Sequence, residues 1–332
     1  LKRFAKRKEF GIVLIIVVLS VLLTIISKAF FRLDNIIDIF RSNAVFGIMA
    51  FGMLPVIITG GIDLSVASSI ALCAVVAGKV MTTMDTNIVV VFAAAILVGA
   101  LIGLVNGLII TKLQIAPMVA TLGVTAITLG SVLLYTGGTW ISGLPAYFKT
   151  FGQAKIGSIP AANNVTLGIP SQVVILAFAG VITWLILKYT LIGRGIYAVG
   201  GSESSAVRVG YNVNRIKIFA YIYCGIMTGI AAVAHTSIVQ QVDPNTFTGY
   251  DLTVISTIVI GGASTMGGVG TVFGTTLGII LMGILQNGLI LAKIPTFWQK
   301  IVMGLVIIVA ISVDVINRKR EQSKLVRVDV EE

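Results

Sequence analysis

The chain has 332 residues, 57% of them hydrophobic and only 11% charged, with a mean hydropathy of +1.03 and a net charge of +11. A soluble domain carries about 25% charged residues because its surface must be wetted, so a soluble globular fold is excluded. So is a nucleic-acid-binding module, since no basic soluble segment is long enough to form one.

Apolar runs near the ~20 residues that carry a helix across a bilayer recur from Phe10 to Ile316. They are continuously apolar, unlike the alternating ten-residue segments of an outer-membrane barrel. The fold class is therefore an all-α polytopic membrane protein, with one transmembrane domain over 1–320 and a tail at 321–332. The first run follows Lys2, Arg3, Lys6, Arg7 and Lys8. It is too long for a signal-peptide core and no small-residue cleavage pattern closes it, so it reads as a retained span. Ten spans are expected, at 10–28, 36–59, 64–84, 87–111, 116–137, 171–188, 216–239, 251–266, 268–292 and 297–316. The second and third meet at Thr59-Gly60-Gly61-Ile62-Asp63, and the eighth and ninth at Gly261–Gly270. Helices can be broken or re-entrant at both places, so eight to ten spans is the range.

With the N-terminus in the cytoplasm, ten spans put 16 of the 24 Lys and Arg residues inside and eight outside, which the positive-inside rule favours. Both termini are expected to be cytoplasmic. Two connections are long. The external one, 137–170, holds Trp140, Pro145, Tyr147, Phe148, Pro160 and Pro170, and is expected to pack on the membrane surface or on a partner. The cytoplasmic one runs over 189–215. There Gly193–Gly201 is turn-rich, and Ser202 can N-cap a short helix whose positive end Glu203 complements and whose stop Gly210 suits. Such a helix is either a knob for a soluble partner or an interfacial element without one.

Asn106-Gly-Leu-Ile-Ile-Thr-Lys112 recurs as Asn287-Gly-Leu-Ile-Leu-Ala-Lys293. The copies close spans running in opposite directions, as an inverted repeat relating spans 2–5 to spans 7–10 requires. Intramembrane catalysis is not favoured: the one histidine, His235, cannot build a His-based metal cluster, and no Gly-x-x-x-x-Gly-Lys-Ser/Thr is present for ATP. No metal and no cofactor is expected. Cys73 and Cys224 read as small hydrophobes. Ionisable groups in spans default to functional hypotheses, and there are few. Asp63 is either a polar lining at the glycine break or the N-cap of span three, Asp251 a cap of span eight, and His235 a hydrogen-bonded packing residue. Asp314 lies near the inner interface.

Gly60-Gly-Ile-Asp-Leu-Ser65, Ala120-Thr-Leu-Gly123, Gly193-Arg-Gly-Ile-Tyr-Ala-Val-Gly-Gly201 with Ala206-Val-Arg208-Val-Gly210, and Val259-Ile-Gly-Gly-Ala-Ser-Thr-Met-Gly-Gly-Val-Gly270 resemble, in order over nearly the whole chain, the permeases of bacterial sugar-import ABC transporters. The branch takes ribose, other simple sugars and autoinducer-2. The resemblance implies a permease domain in the bacterial cytoplasmic membrane. It implies a second permease copy or paralogue forming a homo- or heterodimer, a cytoplasmic ATP-binding subunit and an extracytoplasmic solute-binding protein. It makes Gly193–Gly210 the ATPase-coupling segment, carried by Gly193, Arg194, Gly200, Gly201, Ser202, Glu203, Ala206, Arg208 and Gly210. Ala67 and Ser68 depart from the family pattern, which often has glycine there. For the translocation path the polar residues Asp63, Asn106, Thr121, Gln286 and Asn287 are the candidates, suited to a hydroxylated solute or to hydrogen bonds between helices. The alternative function is an ion-coupled carrier without an ATPase, which would need an acidic relay in the core.

Overall fold

The computed structural model describes residues 8–160, 166–295, 297–299, 301–306, 308, 309 and 312. Its elements run α1 (Lys8–Ile26), α2 (Leu33–Ile58), α3 (Val66–Thr83), α4 (Ile88–Lys112), α5 (Pro117–Thr136), α6 (Ala146–Gln153), β1 (Lys155–Pro160), β2 (Thr166–Pro170), α7 (Ser171–Tyr189), α8 (Leu191–Gly201), α9 (Glu203–Arg208), α10 (Val213–Val239), α11 (Tyr250–Ile260) and α12 (Val272–Leu291). The fold is all-α apart from one small antiparallel hairpin. Polar residues set the helix starts: Asn87, Thr190, Ser202, Asn212 and Thr271 each accept a hydrogen bond from a first-turn amide. These groups satisfy donors that the helix itself leaves unpaired.

Seven helices among the described residues are long and apolar enough to cross a membrane: α2, α3, α4, α5, α7, α10 and α12. Three further apolar helices are shorter, at Gly11–Ile26, Tyr250–Ile260 and Phe297–Val306. The eighth expected span, 251–266, is not one. Its helix stops at Ile260, and 11 residues rise only about 16 Å, half of the ~30 Å hydrocarbon layer. The tenth, 297–316, falls partly outside the described residues, as do Asp314, the basic residues from Lys2 to Arg7, and the tail at 321–332.

The apolar window of α2 is 83% buried, that of α4 only 22%. α2 is thus the hub, packed by α7, α10, α11 and α12, and its apolar character on every side follows from that position. α1 lies at the edge, setting Ile12, Leu19 and Leu23 on Leu277, Leu281 and Ile284 of α12. α4 and α10 touch backbone to backbone. At Gly99, Gly103 and Gly107, spaced by four, any Cβ would run into the backbone of α10, and at Gly225 and Gly229 into that of α4. Helices in lipid gain nothing from hiding apolar surface, so small residues that let backbones touch do the work instead.

The packing exchanges partners between two halves. α4 packs on α10 as α12 packs on α2, α3 on α4 as α11 on α12, and α3 on α10 as α11 on α2. A swap of α2, α3 and α4 with α10, α11 and α12 reproduces these three pairings, as an inverted repeat demands.

The long 137–170 connection packs on the chain itself. Pro145 precedes α6, Phe148 is fully buried, and Phe151 meets Phe92 of α4 edge to face at 5.8 Å. Ile141 bridges to Val242, while Trp140 stays exposed. Cys73 and Cys224 are free and buried, as their apolar surroundings suggest.

Replacing Gly103 with leucine forces α4 off α10, and overpacking a dense contact costs about 1–3 kcal/mol or more. The variant is expected to unfold at lower temperature in detergent micelles, while Gly11→Leu, where nothing lies within 4 Å, leaves the transition unchanged.

Candidate functional site

At one end of the bundle three connections meet: residues 59–65 after α2, the α8–α9 pair, and residues 261–271 between α11 and α12. Each depends on a helix stop at a glycine. Beyond α2, Gly60 N–H donates to Ile57 O at 2.9 Å and Gly61 N–H to Val56 O at 3.0 Å, with Gly60 at φ +81°. Beyond α9, Gly210 N–H donates to Val207 O and Tyr211 N–H to Ala206 O, both at 3.0 Å, with Gly210 at φ +88°. α11 ends the same way at Gly262. This is the Schellman stop, whose left-handed residue is usually glycine.

The sequence 193–201 is not turn-rich in the structure; it is helix α8. Four interior glycines cost a helix about 1 kcal/mol each against alanine, and three of them are held by close approach. Gly193 lies on the Ile186 and Leu187 carbonyls, Gly195 on Ile216, and Gly200 on the Ile58 carbonyl and the Gly268 amide. No side chain fits at Gly193 or Gly200, where the neighbours are backbone, while at Gly195 the Ile216 side chain would have to give. Gly201, by contrast, has open space.

The α9 helix follows the expectation closely. Ser202 Oγ accepts from Ser205 N–H at 3.2 Å, Glu203 stands in the first turn and pairs with Lys217 of α10, and Ala206 is buried. Val207, Arg208 and Val209 point outward, as does Arg194. α8 rests on a backbone bond between its neighbours: Gly268 N–H donates to Ile58 O at 2.8 Å, with Gly200 pressed against both. From α8 itself, Tyr197 OH donates to Gly270 O at 2.8 Å. Burial raises the Tyr197 phenol above its ordinary value, so it stays protonated and keeps donating.

Three of the five path candidates come together, beneath this junction. Asp63 Oδ1 accepts from Ser65 N–H at 2.9 Å and Ser65 Oγ at 2.6 Å, with Asn106 Nδ2 at 3.5 Å. Asn106 Nδ2 also donates to Ser65 Oγ at 2.7 Å, and Leu64 N–H donates to Thr121 Oγ1 at 3.2 Å. Thr125 and Tyr221 add bonds to the Leu64 and Ile62 carbonyls. Asp63 is thus not the N-cap of α3. It closes an Asx turn onto Ser65 in the connection between the two helices. Burial there raises its carboxyl above the usual range, opposed by hydrogen bonds from Ser65, Cys224 and Asn106. Asp63, Asn106 and Thr121 are all buried, and together they brace residues 62–65. Asn106 Oδ1 is buried and has no hydrogen-bond partner among the described residues. A cavity of about 150 Å³ lies between Gly60, Gly61 and Tyr221 on one side and the Glu203–Lys217 pair on the other.

Gln286 and Asn287 lie at the opposite end. Asn287 Nδ2 donates to Asn35 Oδ1 at 2.8 Å and Asn35 Nδ2 to Asn287 Oδ1 at 3.1 Å, joining α12 to the start of α2. The five residues thus fall into two groups, one at each end of the bundle. His235 packs edge to face on Phe247 at 4.7 Å and makes no side-chain hydrogen bond among the described residues. Asp251 stands inside the first turn of α11, whose cap position is Gly249. No group of three or more His, Cys, Asp or Glu among the described residues could hold a metal. Sequence reasoning missed Ser65, Tyr197 and Gly268, although all three stand within or beside the glycine motifs.

The family model described as branched-chain amino acid transport system / permease component matches residues 35–311, a range that holds every candidate residue. The ribose import permease protein of Escherichia coli strain K12 is 36% identical over 306 residues, covering 92% of each chain. That of Bacillus subtilis strain 168 is 36% identical over 310 residues, again 92% of each. The autoinducer 2 import system permease protein of Yersinia pseudotuberculosis serotype O:3 is 34% identical over 308 residues, 93% of this chain and 85% of that one. No solved structure matches.

Asn106→Leu strips the Ser65 hydroxyl and the Asp63 carboxylate of a buried donor, which costs about 1–3 kcal/mol. A clearly lowered unfolding temperature is expected, with Gln286→Leu near wild type. An equal, small shift in both would return Asn106 to the role of a path residue.

Proposed function

The chain belongs to the branched-chain amino acid transport system / permease component family, and on that premise we propose that it is the membrane-spanning subunit of an ATP-driven importer for a monosaccharide-like solute. Two copies, or this chain and a paralogue, enclose the path between them. A separate cytoplasmic subunit hydrolyses ATP, and an extracytoplasmic binding protein delivers the solute and sets most of its specificity. Ribose and autoinducer-2, which the names of the relatives carry, are the solutes to try first.

The observation that carries the reading is the junction of Gly200, Ile58 and Gly268. The coupling segment presents Val207, Arg208 and Val209 to the aqueous side. Those side chains suit a soluble partner: two apolar contacts flank one cation. An ATPase that moves α9 moves α8 with it, because Tyr211 and Gly210 lock the stop after α9 and Ser202 caps its start. α8 in turn bears on the end of α2 and on the 261–271 connection, one from each half of the repeat. Contacts between backbones do not compress, so displacement passes on as a rigid-body shift. Because α2 is the hub of the bundle, a shift at its end reaches the four helices packed on it, α7, α10, α11 and α12.

The α8 end then faces the cytoplasm, with both termini on that side, a sidedness that rests on the distribution of Lys and Arg. An ion-coupled carrier is the weaker reading, since Asp63 is held by Ser65 and Asn106 in the connection after α2 and does not stand free in the core.

The test is uptake of labelled ribose or autoinducer-2 into liposomes that hold the permease with its ATPase and binding protein. Arg208→Glu is expected to lose the ATPase on co-purification with no change in unfolding temperature. Gly200→Val is expected to lose most ATP-driven uptake while Gly201→Ala keeps it. Full uptake by both Gly200→Val and Arg208→Glu would overturn the assignment.

A further inference from the structure

Between α2, α7 and α12 runs a groove of about 500 Å³ that none of the five path candidates lines. Its floor is Phe51, Leu176 and Gly180, and its flanks are Trp184 on α7 with Phe273 and Ile280 on α12. Gly180 makes the depth: a Cβ there would press on the Phe51 ring at 3.0 Å. From Val173 to Trp184 the groove follows α7 for about 16 Å, close to one leaflet of a bilayer whose hydrocarbon core is ~30 Å thick. No charged residue lines it. Its rim residues Val181, Trp184 and Phe273 are exposed on the outside of the bundle.

The two ends differ. At the Trp184 end, Lys188 Nζ lies 4.8 Å over the Trp184 ring and 5.2 Å over that of Tyr189, a lysine with aromatic residues as found at the headgroup level. The first turn of α12 opens at the same end, beside Phe273. Thr271 caps one of its amides, Gly274 N–H. The remaining partial positive charge of a 20-residue helix adds to the lysine.

We propose that this groove is a binding site for one anionic glycerophospholipid, its phosphate at Lys188 and the start of α12, one acyl chain laid along Gly180 towards Val173. The lipid sits in the leaflet on the α8 side. Apolar fit holds the chain, and the charge at one end selects an anionic headgroup over a zwitterionic one. A bound lipid there bridges α7 to α12 across the hub helix, where those two helices barely touch each other.

The experiment uses the full chain with Trp140→Phe and Trp298→Phe, which leaves Trp184 as the only indole. It is placed in nanodiscs of mixed phosphatidylglycerol and phosphatidylcholine, with one or the other brominated on its acyl chains. Quenching of Trp184 per brominated lipid is expected to be about fivefold stronger from phosphatidylglycerol, the size of effect one lysine gives at a charged bilayer surface. Lys188→Glu is expected to bring the ratio to about one while quenching itself persists, and Ala177→Phe, which fills the groove, is expected to weaken quenching by both lipids. Equal quenching by the two lipids in the unaltered groove would overturn the anionic site. So would an unchanged preference in Lys188→Glu, and so would no quenching by either, which would mean that protein, such as a second copy of the chain, covers the groove.

Discussion

The hydrogen bond from the Gly268 amide to the Ile58 carbonyl, with Gly200 pressed against both, is the contact on which the rest of the arrangement depends. A helix that breaks near a membrane leaves amides and carbonyls that water does not reach freely, and each unpaired group there costs several kcal/mol. Here α2 and α11 break close together, and each satisfies the loose groups of the other or folds its own back in a Schellman stop. A third segment, α8, closes over the seam. Because the partners are backbone atoms, the seam tolerates no side chain, and this is the physical reason that glycine crowds all three segments.

Exchange of partners between halves explains why one seam can serve the whole chain. α4 lies on α10 and α12 lies on α2, so neither half is a unit that could pack alone. Force entering at the end of α2 passes directly to α10, α11 and α12 of the second half, and through α10 and α11 to α3 and α4 of its own half. The α4–α10 contact, with glycines on both faces, is as inextensible as the seam itself.

Much of this was legible in the amino-acid sequence, for reasons that can be stated. Long apolar runs must be helices in lipid, so seven spans and their approximate ends follow from composition. The Ser202–Gly210 helix could be read because caps and stops are local chemistry, settled within six residues. α8 could not be read. Its four glycines speak for a turn, and only the carbonyls of Ile186, Leu187 and Ile58, distant in sequence or hidden in a turn of helix, make glycine the residue that allows a helix there. The short α11 was half legible. The glycines of Gly261–Gly270 marked a possible break, but hydropathy alone carried the span on to 266, past Gly261 and Gly262 where the helix ends to meet α12.

The polar repeat teaches a separate lesson about what a buried asparagine is for. Asn106 and Asn287 are equivalent by sequence and by the exchange of helices, and they stand at opposite ends of the bundle, as an inverted repeat requires. Each ties the last turns of its helix to a helix end or break: Asn106 to the connection after α2 through Ser65 and Asp63, Asn287 to the start of α2 through Asn35. Both bonds therefore act on the same hub helix, one at each end. An inverted repeat duplicates a brace as readily as a binding site, and a brace at each end of α2 is what a helix needs if it is to move as a rigid rod when α8 moves. The asymmetry between the two braces agrees with this. Asn106 is buried, its oxygen without a partner among the described residues, beside the seam that shifts, while Asn287 is half-exposed with a reciprocal pair of bonds at the end that holds.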